Sequence, residues 1–238
     1  KFGITAGFDY PIIISFTSAD QDLSIQVHPT DDYAKTHENT LYGKSESWYF
    51  IEPPSEGWIY ADSLIEDKRE IKRSILNGDY ESVVGKIVVS KDDVVYIPSG
   101  TLHALTRGSL VYEIQQSTDI TYRFFDYNRL DNDGKLRDLH LDDAIETLNT
   151  ENRVKSSAFP KDTLVSEQPY TMVRKTLENV YHNTTDVAVA ITVSKGSMCV
   201  DGHSILTGMS ILVLPNETIS ISQAAEEVVI ATPKLYFK

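Results

Sequence analysis

Short runs of β-branched and aromatic residues, broken every few positions by glycine or proline, recur along almost the whole chain. In the first half they are "PIIISFT", "LSIQVHP", "ESWYFIE", "GKIVVS", "DVVYIPSG", "SLVYEIQQ" and "ITYRFFDY". Gly85, Gly100 and Gly108, with Pro29, Pro53, Pro54 and Pro98, supply many of the breaks. Runs of this kind read as strands joined by turns. So many strands on short connections predict a mainly β fold, an antiparallel sandwich or barrel rather than a doubly wound sheet.

Two stretches depart from that pattern. In "DSLIEDKREIKRSILNGDY", Leu64, Ile71 and Ile75 recur at helical spacing, Ser63 with Glu66 matches a capping box, and Gly78 offers a stop. The expectation is a helical segment over about residues 62–78. "LHLDDAIETLNT", residues 139–150, is a second, shorter helical candidate. Both are expected to cover a sheet face or a barrel opening.

The organisation expected is a domain over residues 1–150 and a polar linker over 151–168. A small all-β domain without its own active site follows over 169–238. In that last part the strand pattern returns in "YTMVRKTL", "VAVAITVSKG" and "MSILVLP", and "VDGH" carries an Asp-Gly hairpin signal.

Composition narrows the function classes. The 238 residues suffice for one large domain or two small ones with a sizeable core. A formal net charge of -13 argues against nucleic acid and anionic membrane as partners, while a local cluster of basic side chains would still bind a phosphorylated substrate. The apolar runs are far too short for a membrane helix. The single cysteine, Cys199, excludes an intrachain disulfide and suits the cytoplasm.

Chemistry concentrates in the first half. In "LSIQVHP" the alternation puts Ser24, Gln26 and His28 on one face and Leu23, Ile25 and Val27 on the other. "YGKSESWYF" places Lys44 and Glu46 at i and i+2, and "IPSGTLHAL" brings His103 just after a turn. One amide oxygen, two imidazoles and a carboxylate form a reasonable shell for a divalent metal with open positions. Each residue alone has a plainer reading: His28 before proline as a cap or surface residue, Glu46 as solvated, His103 as hydrogen-bonded near a turn. "GSLVYEIQQSTDITYRFFDYNRL" adds Glu113 and Gln115 on one strand face, and Arg123 would return on a paired strand. A cross-strand Glu-Arg ion pair is an equal alternative there. For His37, His140, His182 and His203 the plain readings prevail, His140 as a helix cap.

"LSIQVHPTDDYA", "GKSESWYFI", "VVYIPSGTLHAL" and "LVYEIQQSTDITYRFFDYNRL" occur in the order found in the type I mannose-6-phosphate isomerases of the cupin superfamily, and the chain resembles that family most densely over residues 20–141. The resemblance implies two cupin-like jelly-roll β-barrel domains with a small helical insertion. It also implies a zinc-dependent interconversion of mannose 6-phosphate and fructose 6-phosphate through a cis-enediol. By the same resemblance the metal ligands fall on Gln26, His28, Glu46 and His103, with one Zn²⁺ per chain. Arg123, Glu113 and Lys44 are expected to carry the catalysis; a phosphate calls for a hydroxyl and nearby cations, for which Ser24, Lys44 and Arg129 are the expected residues, with Arg123 as a shared contact. The alternative is a non-catalytic cupin that binds a metal or sugar. Two departures stand out. Only about 20 residues precede the first matched block, where the family has a longer segment, so N-terminal strands are expected to be missing. Ser15 stands where the family has lysine, which is expected to weaken substrate binding or alter specificity.

Overall fold

The computed structural model describes residues 2–4 and 9–236. Its chain divides into two compact units, one of residues 14–158 and the other of residues 159–236 with the described residues before 14. No helix among the described residues is long and apolar enough to cross a membrane.

The larger unit holds ten strands. These are β1 (Ile12–Ser18, starting just ahead of the boundary), β2 (Ile25–Val27), β3 (Glu46–Glu52), β4 (Trp58–Ser63) and β5 (Val84–Val88). The other five are β6 (Asp93–Ile97), β7 (His103–Ala104), β8 (Leu110–Gln116), β9 (Tyr122–Phe125) and β10 (Ser156–Ala158). They form two five-stranded sheets, ordered β1-β8-β3-β6-β10 and β5-β4-β7-β2-β9. Every pairing given for these strands is antiparallel.

The two faces of the second sheet differ as the alternation demands. Ile25, Val27, Tyr60, Ala104, Tyr122 and Phe124 form one buried cluster with Ile71 and Ile75 of helix α2 (Lys68–Leu76) and Ala144 of helix α3 (Leu141–Thr147). The helices thus cover the outer face. The inner face contributes Ile59 and Ala61 to a core shared with Trp48, Phe50, Val95, Ile97 and Val111 of the first sheet. The space between the sheets is therefore hydrocarbon toward one end. At the other end, the same inward positions of β3 and β8 carry Glu46, Glu113 and Gln115.

Several expectations shift. The helix expected from residue 62 starts at Lys68, because Ser63 is committed to β4, where it pairs with Val84. The Ser63 hydroxyl donates to the Ile65 carbonyl at 2.6 Å, and the cap is Asp67, whose carboxylate accepts from the Arg69 amide at 2.8 Å. His140 stands at the N-cap position of α3, but its ring makes no capping bond. A third helix, α1 (Asp31–His37), begins with Thr30 as its cap. Within 151–168, read as a linker, β10 pairs with β6 and the strand Leu164–Ser166 pairs with Tyr170–Lys175. The boundary between units falls at residue 158/159, and the described residues before 14 group with the smaller unit.

That smaller unit is a second β-sandwich. Its sheets run β11 (Leu164–Ser166), β12 (Tyr170–Lys175), β19 (Glu227–Pro233), β14 (Val189–Lys195), β17 (Ser210–Val213), and β13 (Asn179–His182), β18 (Thr218–Gln223), β15 (Ser197–Val200), β16 (His203–Leu206). Ile191, Val193, Met198, Val213, Ile219 and Val228 belong to one buried core. The expected Asp-Gly hairpin is present: Val200 pairs with His203, and Asp201 and Gly202 have φ of 47° and 80°. Two left-handed residues in succession are what a two-residue hairpin turn requires.

Candidate metal centre and active site

The polar face of "LSIQVHP" looks into the space between the two sheets of the larger unit. Gln26 pairs with His103 on one side and Arg123 on the other, so the three side chains share a face. A bulge between Ile25 and Gln26 breaks the alternation upstream, and Leu23 packs with the inner core rather than with Ile25 and Val27. His28, two residues past Gln26, keeps the inward direction. Glu46 arrives from the facing sheet.

His28, Glu46 and His103 each offer a ligand atom, all within 4.8 Å of one another and all buried. Among the described residues no other group of three His, Cys, Asp or Glu residues does so. Each imidazole donates its Nδ1 hydrogen to a backbone carbonyl, His28 to Ile120 at 2.9 Å and His103 to Thr101 at 2.8 Å. A carbonyl only accepts, so the Nε2 lone pairs are left facing inward, the tautomer a metal needs. His28 Nε2 lies 3.4 Å and His103 Nε2 3.3 Å from the Glu46 carboxylate. The Gln26 amide nitrogen is 3.5 Å and 3.4 Å from those two Nε2 atoms. Half a turn of the amide would present its oxygen instead.

The electrostatics favour a cation. Burial, reinforced by the Lys44 charge, pulls His28 down to about 4, which keeps it neutral. Burial alone would raise Glu46, but the Lys44 ammonium outweighs it and holds the carboxyl well below its usual range. Both Glu46 oxygens are buried without a properly directed hydrogen bond. A buried carboxylate left so incompletely satisfied is costly, and a divalent ion between it and two inward lone pairs would relieve that cost. The residues present fit a metal.

Lys44 and Glu113 border this group. Lys44 Nζ is 3.1 Å from Glu46 and 3.7 Å from Glu113. Burial lowers the ammonium, but the two carboxylates outweigh it and the net direction is up. Gly43 makes this approach feasible: a Cβ there would meet the Pro29 carbonyl oxygen at 2.3 Å, and the Lys44 amide bonds that same oxygen at 3.0 Å. Burial and the Glu46 charge push Glu113 up to about 7. Thr17 donates to Glu113 at 2.6 Å, and Ser15, the departing position, lies 3.4 Å from the same oxygen.

Ser24, Gln26, Arg123 and Arg129 line a cavity of about 490 Å³ with Arg137 and His140. Arg123 Nε is buried without an acceptor. The three residues nominated for phosphate do not come together. Ser24 and Arg129 share the cavity, whereas Lys44 is absent from its lining and engaged by two carboxylates. Sequence reasoning missed Arg137 and His140. The usable signal was "DNDGK", a turn that returns the chain so that the Arg137 amide bonds the Arg129 carbonyl at 3.1 Å. His140 accepts from the Arg123 amide at 3.2 Å through Nδ1. His37 is exposed, as expected, and His182 and His203 are exposed too.

No protein-family model matches the chain. It is 42% identical over 147 residues to the mannose-6-phosphate isomerase ManA of Bacillus subtilis, covering 62% of this chain and 47% of that protein. To a mannose-6-phosphate isomerase of Streptococcus mutans it is 38% identical over 147 residues, covering 62% and 46%. The chain therefore spans about half the length of the curated relatives it matches. In structure it matches the mannose 6-phosphate isomerase of Bacillus subtilis with a TM-score of 0.78 at 26% identity, over 96% of this chain and 77% of that one. Alike in sequence over more than half its length and in fold over nearly all of it, the chain resembles the mannose-6-phosphate isomerases and has their cupin fold.

Proposed function

We propose that the chain is a metal-dependent aldose-ketose isomerase interconverting mannose 6-phosphate and fructose 6-phosphate through a cis-enediol. The observation that carries this reading is the meeting of His28, Glu46 and His103 beside Gln26, next to a cavity lined by Arg123. Gln26, His28, Glu46 and His103 would hold one Zn²⁺, since two imidazoles, a carboxylate and an amide oxygen suit that ion. When bound, the ion supplies Lewis-acid polarisation and orientation of sugar oxygens.

The chain's own residues do the rest. Isomerisation takes a proton from C2 of the open-chain aldose and returns it to C1, while the hydroxyl proton of O2 passes to O1. Glu113, raised to about 7, is poised to accept and give back that proton near neutral pH. Lys44 holds the base in place from 3.7 Å. Arg123, permanently cationic with a buried Nε lacking an acceptor, stabilises the negative charge that develops on the enediolate oxygen. Ser24 and Arg129 receive the phosphate in the shared cavity, and Lys44 serves the base rather than the phosphate. A charged sugar phosphate is retained by a bilayer, which fits a cytoplasmic setting. A non-catalytic cupin would have no use for Lys44, Glu113 and Arg123 together around one cation site.

Purified protein given mannose 6-phosphate, with fructose 6-phosphate detected by a coupled reaction, tests this. Turnover should appear, vanish on chelation and return with Zn²⁺. Absence of turnover at full metal occupancy would refute it.

A further inference from the structure

Beyond β9 the chain makes a tight reversal that the proposed chemistry has not yet used. Tyr127 and Asn128 both have φ of 55°, and the Arg129 amide bonds the Asp126 carbonyl at 3.0 Å, closing a turn with two left-handed residues. The chain then runs out and back as a small hairpin, with Leu130 bridged to Leu136 and the Arg137 amide bonded to the Arg129 carbonyl. A non-glycine residue held at positive φ is costly and persists only where its surroundings enforce it. The turn's effect is to set Arg129 and Arg137 side by side on the cavity that also holds Arg123.

Beneath them sits Asp126. It is 3% exposed, and neither carboxylate oxygen has a properly directed hydrogen bond. Its charged neighbours are the two arginines, Arg137 Nε at 3.2 Å from one oxygen and Arg129 Nη1 at 3.7 Å from the other. Arg129 is pinned further by a bond to the Asp22 carbonyl and by stacking on the Tyr127 ring at 4.7 Å. A buried carboxylate between two guanidinium groups fixes where they stand while leaving most of their N–H donors free. In a chain of net charge -13, three arginines against Asp119 and Asp126 make this cavity locally positive.

We propose that Asp126 is a positioning residue that bridges Arg129 and Arg137, and that Arg137 joins Arg129 in an anion-binding wall for the phosphate end of the sugar phosphate, beside Arg123. This rests on the isomerase reading for the identity of the substrate, not for the existence of the wall. Asp126, Arg129 and Arg137 are distinct from the candidate metal ligands, although Gln26 lines the same cavity. Loss of Asp126 or Arg137 should therefore weaken binding without stopping chemistry.

The test compares metal-loaded wild type with Asp126→Asn and Arg137→Gln. For mannose 6-phosphate, KM should rise about 10- to 100-fold in each variant, the scale of one charge-assisted contact, with kcat changed by less than about threefold. Calorimetric binding of inorganic phosphate should weaken in parallel, and Asp126→Glu should recover part of both losses. Should Asp126→Asn fail to fold, Arg137→Gln decides for the wall and Asp126→Glu for the bridge. Unchanged KM and unchanged phosphate binding in the variants of an active wild type would overturn the wall and leave the isomerase intact. Weakened phosphate binding in variants of a wild type that never turns over would do the reverse. A fall in kcat at constant KM would place these residues in the chemistry and overturn the positioning role.

Discussion

At the level of single residues, the account separates groups that hold a cation from groups that act on substrate. His103 is fully buried, its Nδ1 tied to Thr101 and its Nε2 facing Glu46. Arg123 lines the cavity beside Gln26 instead. His103→Ala should abolish metal retention and turnover together. Arg123→Ala should keep the metal and lose about 10²–10³-fold in kcat, the usual scale for removing one charge-stabilising group. Elemental analysis beside steady-state kinetics reads both; loss of metal in both variants would collapse the distinction. His28 gives a pH signature in the metal-free protein. Its folded pKa of about 4 lies below the ordinary 6.5, so the unfolded chain binds a proton that the folded chain refuses. Stability from the neutral imidazole is present above about pH 6.5 and lost as pH falls toward 4. Urea midpoints of the metal-free protein should drop across that window, and a His28→Gln variant should drop less. Much at this scale was legible beforehand: i and i+2 spacing on a strand fixes that Gln26 with His28, and Lys44 with Glu46, share directions. What spacing alone did not carry was that Lys44 would be held between two carboxylates, because its neighbour Glu113 arrives on β8, far along the chain.

Among the elements, the decisive fact is that one sheet serves two masters. The outer face of β2 and β9 rests under α2 and α3, while the inner face carries the candidate ligands. Ile71 is fully buried on the outer side. Ile71→Ala should therefore cost about 2–4 kcal/mol in a denaturation experiment, the usual range for such a cavity. The same variant should retain its metal in full at moderate temperature; metal loss without unfolding would mean the two faces are coupled. The helix was foreseen, since Ile71 and Ile75 are one turn apart, but its start was not. Ser63 looked like a cap because local pattern cannot register that Val84 will claim it for a strand pair. The same limit hid β10 and β11 within a polar stretch: edge strands with exposed side chains, such as those of Leu164–Ser166, lack the alternation that marks half-buried ones.

For the whole molecule, the mainly β sandwich architecture was legible from turn-punctuated runs, and the Asp201–Gly202 hairpin from two residues. The convergence of three segments on one point was expected through the family resemblance and not from spacing, because register between distant strands is set by tertiary packing rather than by anything within either strand. Ligand binding to the folded state alone predicts that metal stabilises the larger unit. At a hundredfold excess over its dissociation constant, Zn²⁺ should add about 2.7 kcal/mol to the metal-free protein, read as a rise in Tm. The most direct test of the central claim is metal content per chain after exhaustive dialysis, measured for wild type and for Glu46→Gln at equal folded fraction. The account predicts about one bound ion in wild type and close to none in the variant. Equal retention by both, or none by an active wild type, would contradict it.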